Sequence, residues 1–441
     1  MSISRFRSRL LLLFYLSLAS LPLSVDWFSD RFHLGLMVAS EPLMALTVGL
    51  TVLGLLGGWL AWPLSSHRLD KLIAFHFGAM FVATVFSSDL LVSAKYFTTL
   101  VLYVLFGYCV PRVLVFNRTE WLRAIGALAV GTSLLVAYVL TRHLFMGLSY
   151  SISYVVAQPF SKNGHTNLTV LLEPLVLVLN LVLLYHPWAQ NVRGRVLVTA
   201  LLTAVLMVVA FSYSRASYVS LSAQALLLMA YAGWSAGRRL LLPWAVAGVL
   251  IFAAWQTLTR IYPNASLVNT HLLHELGTVS DFSATNESNA ERLNRWLFSL
   301  DLYQQEPVIG VGPGTFPDRY LDFVRHSPNH PTYLTTLRRM NAHNLYLSWL
   351  VEAGALGLLS GLMLLGYLVG RQLRWAFRWR PTPLQVGFTV YFLFFLLHSL
   401  SQDFWQEPRV VVVFWLAIGL QRYYERPASY SRLAGGAKAA A

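Results

Sequence analysis

Stretches of about twenty mostly apolar residues recur along this chain, the length a helix needs to cross a hydrocarbon core of roughly 30 Å. Lipid offers no partner to a bare N–H or C=O, so a spanning segment must be an α-helix or part of a closed barrel. The runs lie near 10–25, 35–62, 72–92, 96–116, 122–141, 166–186, 196–212, 216–235, 240–258, 343–369, 384–402 and 409–421. They predict an all-α polytopic membrane protein of about twelve transmembrane helices. Only 12% of the residues are charged, about half the share usual in soluble domains. The expected organisation has four parts. An N-terminal transmembrane bundle of about nine spans covers 1–258, and a loop domain with short amphipathic helices covers 259–342. C-terminal transmembrane helices follow over 343–421, then a tail over 422–441.

Lys and Arg stay cytoplasmic in short loops, and this sets the orientation. With the N-terminus inside, the inner segments collect Arg5, Arg7, Arg9, Arg68, Lys71, Arg112, Arg118 and Arg123, and later Arg193, Arg195, Arg238, Arg239, Arg371, Arg374, Arg378, Arg380 and Arg422. The short outer segments hold Arg31, Lys95, Arg142, Lys162, Arg215 and Arg409. Both termini are therefore expected in the cytoplasm. The basic start followed by LLLLFYLSLAS looks like a signal sequence and is read as an uncleaved first span. The net charge of +14 could suggest a nucleic-acid partner, but most of it is these topological anchors. The single cysteine, Cys109, allows neither an intrachain disulfide nor a cysteine metal site.

Two outer segments are long enough to carry chemistry, residues 142–165 and about 259–342, and both fall on the non-cytoplasmic face. Within the second, GVGPGTF at 310–316 lacks the Gly-Lys-Ser/Thr ending of a phosphate loop; it reads as a tight turn that lets backbone approach closely. SNAERLNRWLFSLDLY reads as a helix, with Ser288 and Glu291 as a capping box and an apolar stripe at Leu293, Trp296, Leu297 and Leu300. Arg292 and Arg295 lie beside that stripe. The loop holds six Arg against eight Asp and Glu between 261 and 342, so it is no diffuse cationic patch, and an anion there must be held by particular arginines. In FSYSRASYVS, Arg215 opens a span, where the macrodipole opposes a cation. An anion bridging the guanidinium and the free N–H groups would relieve that conflict, with Tyr213 and Ser214 as further donors.

The stretch MNAHNLYLSWLVEAGALGLL at 340–359 turns from polar to apolar at His343 and Asn344, on the outer surface. At about 100° per residue, Glu352 falls some 180° from His343 and roughly 13 Å deeper. It therefore cannot orient that ring, and is expected to brace a neighbouring helix.

SYSRASYVSL, ERLNRWLFSLDLYQQEPVIGVGPGTF and HNLYLSWLVEAGALGLL follow one another in that order from Ser212 to Leu359. Together they resemble the O-antigen ligase and polymerase superfamily of bacterial inner-membrane glycosyltransferases, and a ligase most of all. That family pattern has Ser-Arg opening a span and Arg before a Trp-bearing helix that runs into Pro-x-x-Gly-x-Gly. It ends on His-Asn, which opens a span with Glu-x-Gly-x-x-Gly. The resemblance implies transfer of a glycan from undecaprenyl pyrophosphate to a hydroxyl of the lipid A-core oligosaccharide, on the periplasmic face. It implies Arg215 and Arg292 as essential arginines and His343 as the essential histidine. Arg295 departs from the motif spacing and, with Asn344, Tyr213 and Ser214, is expected to bind substrate. Arg142, Lys162 and His165 join that expectation through location alone.

The residues suit this chemistry. No Asp-x-Asp or His-Glu-x-x-His pattern lies on the outer face, so a metal or other cofactor is not expected, and arginines must meet the pyrophosphate. Charge builds on the leaving group as its bond breaks, which strengthens guanidinium contacts. A neutral imidazole can take the acceptor's proton, with an ordinary pKa near 6.5. The rival readings are an O-antigen polymerase, a protein O-oligosaccharyltransferase, and a flippase for the lipid-linked glycan. Transport predicts charges deep in several spans and often an internal repeat. Here only Glu173 and Glu352 stand out mid-span.

Overall fold

The computed structural model describes residues 3–29, 34–61, 67–115, 117–148, 150–161, 165–262, 287–326, 339–377 and 382–424. Each predicted run contains a helix. In chain order these are α1 (Ile3–Ser20), α2 (Ser40–Leu56), α3 (Arg68–Val85), α4 (Leu90–Val104), α5 (Val110–Leu114), α6 (Arg118–Met146) and a short α7 (Tyr150–Ser153). They continue as α8 (His165–Tyr185), α9 (Val192–Phe211), α10 (Arg215–Gly237), α11 (Leu241–Ile261), α12 (Glu287–Gln305), α13 (Phe316–His326), α14 (Leu345–Ala376), α15 (Pro383–His398) and α16 (Pro408–Tyr424). Among the described residues, seven stretches are long and apolar enough to cross a membrane, 118–146 and 345–376 included; α2, α15 and α16 are shorter apolar helices. This is a multi-pass helical membrane protein.

The helix starts are set by local chemistry. The side-chain oxygens of Asn117 and Asn191 accept from Glu120 N and Gly194 N, at 2.9 and 2.7 Å. Thr382 and Gln385 form a reciprocal capping box at α15, which satisfies N–H groups that the helix itself cannot. Apolar residues such as Leu53, Val130, Leu226, Phe252 and Met363 face outward, while His76, Asn180, Glu173 and Glu352 are buried. That inversion is what a lipid solvent favours.

Two details depart from the sequence reading. The run over 35–62 does not begin as helix: Val25–Ser29 (β1) and Leu34–Val38 (β2) pair as an antiparallel hairpin. Met37 N donates to Glu41 Oε2 at 2.8 Å, which closes the hairpin onto the start of α2. The run over 343–369 reaches Ala376, and Gly354 interrupts it with φ 64° and ψ −168°.

One end of the bundle gathers the hairpin, the α3–α4 turn, the segment after α6 and the turn between α15 and α16. Arg409 staples it: Nη2 donates to Ser24 O at 2.7 Å and to Phe160 O, and Nη1 to Glu407 Oε1 at 3.1 Å. At other helix ends, Arg7 pairs with Glu120 and Arg112 with Asp70, each at 2.7 Å.

Candidate functional site

The glycines of GVGPGTF do what the turn reading requires. Gly310, Gly312 and Gly314 all have positive φ (71°, 111° and 78°). The turn fits against the break in α14: Val311 N and Gly312 N donate to Val351 O and Glu352 O, both at 3.0 Å. In return, Ala355 N and Leu356 N donate to Pro307 O and Val308 O, at 2.9 and 3.2 Å. The backbone groups freed by the broken helix therefore find partners, which a membrane interior demands. A Cβ on Gly354 would stand 2.2 Å from Val308 O, and one on Gly310 2.5 Å from Val351 O. Glu352 braces a neighbouring helix, as expected: its Oε1 accepts from Phe316 N, the first residue of α13 where the turn ends, at 3.4 Å.

α12 and α13 pack over this turn on Phe298, Leu302, Phe316 and Tyr320, and Phe298 stacks on Phe323 with centroids 4.7 Å apart. The apolar stripe of α12 stays exposed at Leu293, Leu297 and Leu300. The buried face is Asn294, Arg295, Phe298, Ser299 and Leu302, because the aromatic residues of α13 cover that side. The side chain of Ser288, half of the expected capping box, lies outside the described residues, and Glu291 instead holds Arg295 with Oε2 at 3.2 Å.

His343 stands just ahead of Asn344, the cap of α14, in a left-handed conformation, φ 56°, which costs a non-glycine residue about 1–2 kcal/mol. A side chain absent from the sequence reading, Asn341, supports it. Asn341 Oδ1 accepts from His343 N at 3.2 Å and lies 3.3 Å from His343 Nδ1. A backbone N–H only donates, so the atom it meets is the amide oxygen; Nδ1 must then carry the ring proton, and Nε2 keeps its lone pair. The signal was visible in MNAHN, since an Asn two residues ahead of a backbone N–H is a common turn former.

Arg295 is buried and turned toward the same loop: Nε donates to Glu291 O at 3.1 Å and Nη1 to Asn341 O at 3.4 Å. Burial, and then the charges of Arg295 and Arg292, push the His343 ring down to about 3 from its ordinary 6.5. The ring is thus neutral at neutral pH, and far from the ordinary value expected from sequence. Burial lowers the pKa of Arg295 itself, with Glu291 opposing. Asn344 is committed to structure: Oδ1 caps α14 by accepting from Tyr346 N and Leu347 N, at 3.0 and 3.1 Å, and Nδ2 donates to Leu400 O at 3.0 Å.

The remaining expected residues divide. Arg215 is the first residue of α10, as the span-opening reading requires; its side chain lies outside the described residues. Tyr213 and Ser214 directly precede it and are buried. Tyr213 has φ 57° and meets Trp255 edge to face at 6.3 Å. Ser214 Oγ lies 3.1 Å from Ser217 Oγ. Arg142 is spent on Tyr138 Oη at 3.0 Å and the carbonyl of Gln158. Lys162 lies outside the described residues, and His165 opens α8 with its side chain likewise outside them. The structure therefore brings together His343, Arg292 and Arg295, with Asn344 as their helix cap. Among the described residues, no three of His, Cys, Asp and Glu come together as metal ligands.

Residues 197–362 match the family described as O-Antigen ligase, a span that holds α10, α12, the glycine turn and the head of α14. No curated protein matches the chain in sequence. Over this segment, less than half of its length, the chain is similar to the O-antigen ligase family.

Proposed function

We propose that the protein is an O-antigen ligase of the bacterial inner membrane. It transfers a glycan from undecaprenyl pyrophosphate to a hydroxyl of the lipid A-core oligosaccharide, on the periplasmic face and without a metal. The observation that carries this reading is a neutral imidazole, held by Asn341 with Nε2 free to accept, beside Arg292 and Arg295. The acceptor oxygen forms the new bond to the anomeric carbon and its proton passes to Nε2. The bond from that carbon to the pyrophosphate oxygen breaks, and the lipid pyrophosphate leaves. Arg215 and Arg292 neutralise the leaving group bidentately. Arg295, fixed by Glu291, contributes field and holds the Asn341 loop. Asn344 places the ring at the helix start.

A depressed ring pKa makes a weak base in the free enzyme, which the donor itself corrects. Burial is the largest cause of that depression, and pyrophosphate on Arg292 offsets one of the two charges that add to it, so basicity rises once the donor is bound. The test is a transfer assay with the purified chain, polyprenyl pyrophosphate-linked glycan and core lipid, with and without chelator. Transfer that survives the chelator supports the reading. No transfer under any condition overturns it, and glycan extension without core modification makes the protein a polymerase.

A further inference from the structure

Arg215 and His343 are 128 positions apart in sequence, and the elements that carry them pack on different neighbours. α10 lies against α8 and α15, whereas α14 lies against α3 and α15. What holds the two heads in register is a polar seam inside an otherwise apolar bundle. Ser214, Ser217, Ser220 and Gln224 of α10 are all buried and recur at helical spacing on one face. Ser217 Oγ donates to Thr169 Oγ1 of α8 at 2.7 Å, and Ser220 Oγ donates to Glu173 Oε2 of α8 at 2.9 Å. Glu173 Oε1 lies 3.0 Å from Nε2 of His398, the last residue of α15.

From His398 the path continues to the site. The next residue, Ser399, accepts Leu345 N at 3.0 Å, and Leu400 O accepts from Asn344 Nδ2. Ser348 Oγ donates to Asp403 Oδ2 at 2.5 Å, and Tyr346 Oη to Leu396 O at 3.2 Å. The head of α14, and His343 with it, therefore moves with the end of α15.

We propose that Glu173 and His398 are positioning residues: they lock the Ser214–Arg215 head of α10 to the end of α15, and so hold the pyrophosphate arginine in register with His343. This inference rests on the glycosyl-transfer reading for its functional consequence, but not for the mechanical joint. A buried carboxylate–imidazole pair is a costly way to fill an apolar helix interface. Leucines would pack there more cheaply and would leave α10 free to slide by part of a turn, whereas the hydrogen bonds of Ser217 and Ser220 and the 3.0 Å approach of Glu173 to His398 fit a single register. A cavity of about 20 Å³ beside the pair, lined by Gln224, Tyr391 and Arg409 among others, has room for about one water.

Two readouts test this on the full chain in lipid nanodiscs. Spin labels at Ala216→Cys and Leu400→Cys, in a Cys109→Ser background, report the α10–α15 distance. That distribution is narrow in the parent and broadens in Glu173→Gln, in His398→Gln and, more mildly, in Ser220→Ala. A distribution that stays narrow in all three overturns the proposal whatever the activity. In the transfer assay, Glu173→Gln lowers kcat on the order of 10²-fold, as a misplacement of about 1 Å can. It adds little further loss on top of Arg215→Lys, because both disturb the same contact. Fully additive losses would reduce Glu173 to a general stabiliser and overturn its positioning role. Broadened distances in a chain that transfers no glycan would remove the glycosyl-transfer reading and leave the joint.

Discussion

At the residue scale, His343 is a ring whose proton, pKa and backbone are each set by a different neighbour. Asn341 fixes the proton on Nδ1, burial with Arg295 and Arg292 lowers the pKa, and the backbone turns left-handed immediately ahead of the Asn344 cap. The profile of kcat/KM reports the free enzyme and that of kcat the donor complex. The acid limb of kcat/KM should therefore fall toward the free-ring value of about 3, and the limb of kcat should lie at higher pH. Coincident limbs near 6.5 would show that the arginines do not act on the ring. A second expectation concerns Asn341→Ala: kcat drops at least tenfold with little change in donor KM, because the ring loses its tautomer but the arginines remain. A loss confined to KM would instead put Asn341 in the donor site. The same ring makes folding sensitive to acid. Its folded pKa lies below the unfolded one, so the stability it contributes is complete above about 6.5 and is lost as pH falls toward 3. His343→Asn should flatten that part of the melting-temperature profile.

At the scale of elements, the glycine turn and the broken helix form one unit. α14 could continue through residue 354 only by expelling residues 307–312, whose N–H and C=O groups complete the break. Gly354→Ala and Gly310→Ala each place a Cβ within 2.5 Å of a carbonyl oxygen at positive φ. Strain at such a position costs about 1–3 kcal/mol, with overpacking in addition. Both variants should melt several degrees lower and lose transfer, since the turn carries α13 and the base of α12. Gly366→Ala is the matching control on the same helix: a Cβ there meets nothing within 4 Å, and Ala favours helix over Gly, so its melting temperature should hold or rise. Equal damage at Gly366 would mean that α14 tolerates no substitution, and the joint with the turn would lose its support.

At the scale of the whole molecule, His343, Arg292 and Arg295 come from elements distant in sequence, and the expected orientation would put them on the periplasmic side. A cysteine at exposed Arg319, beside the glycine turn, should react in cells with a membrane-impermeant maleimide once the outer membrane is permeabilised. A cysteine at exposed Arg193, at the start of α9, should react only after lysis; the reverse pattern would invert the topology. The helices themselves were legible in the sequence, because a backbone in lipid must satisfy its own hydrogen bonds and a long apolar run leaves it one way to do so. The motif order from Ser214–Arg215 to His343–Asn344 was legible for a similar reason, since helix starts and glycine turns are local. Other features belong to the fold alone. The stripe on α12 was legible as apolar, but periodicity shows that a helix has two faces and not which neighbour arrives; α13 packs its aromatic residues on the other face and leaves that stripe exposed. The 25–38 hairpin needed a partner strand, and the break at Gly354 needed residues 307–312 to fill it. Nothing within a window of MNAHN places Arg292 and Arg295 beside the ring, and nothing local joins Glu173 to His398 across 225 positions. Hydrogen bonding along one segment sets where a helix forms, but charge and burial act through space, and only the packed bundle brings those groups within reach.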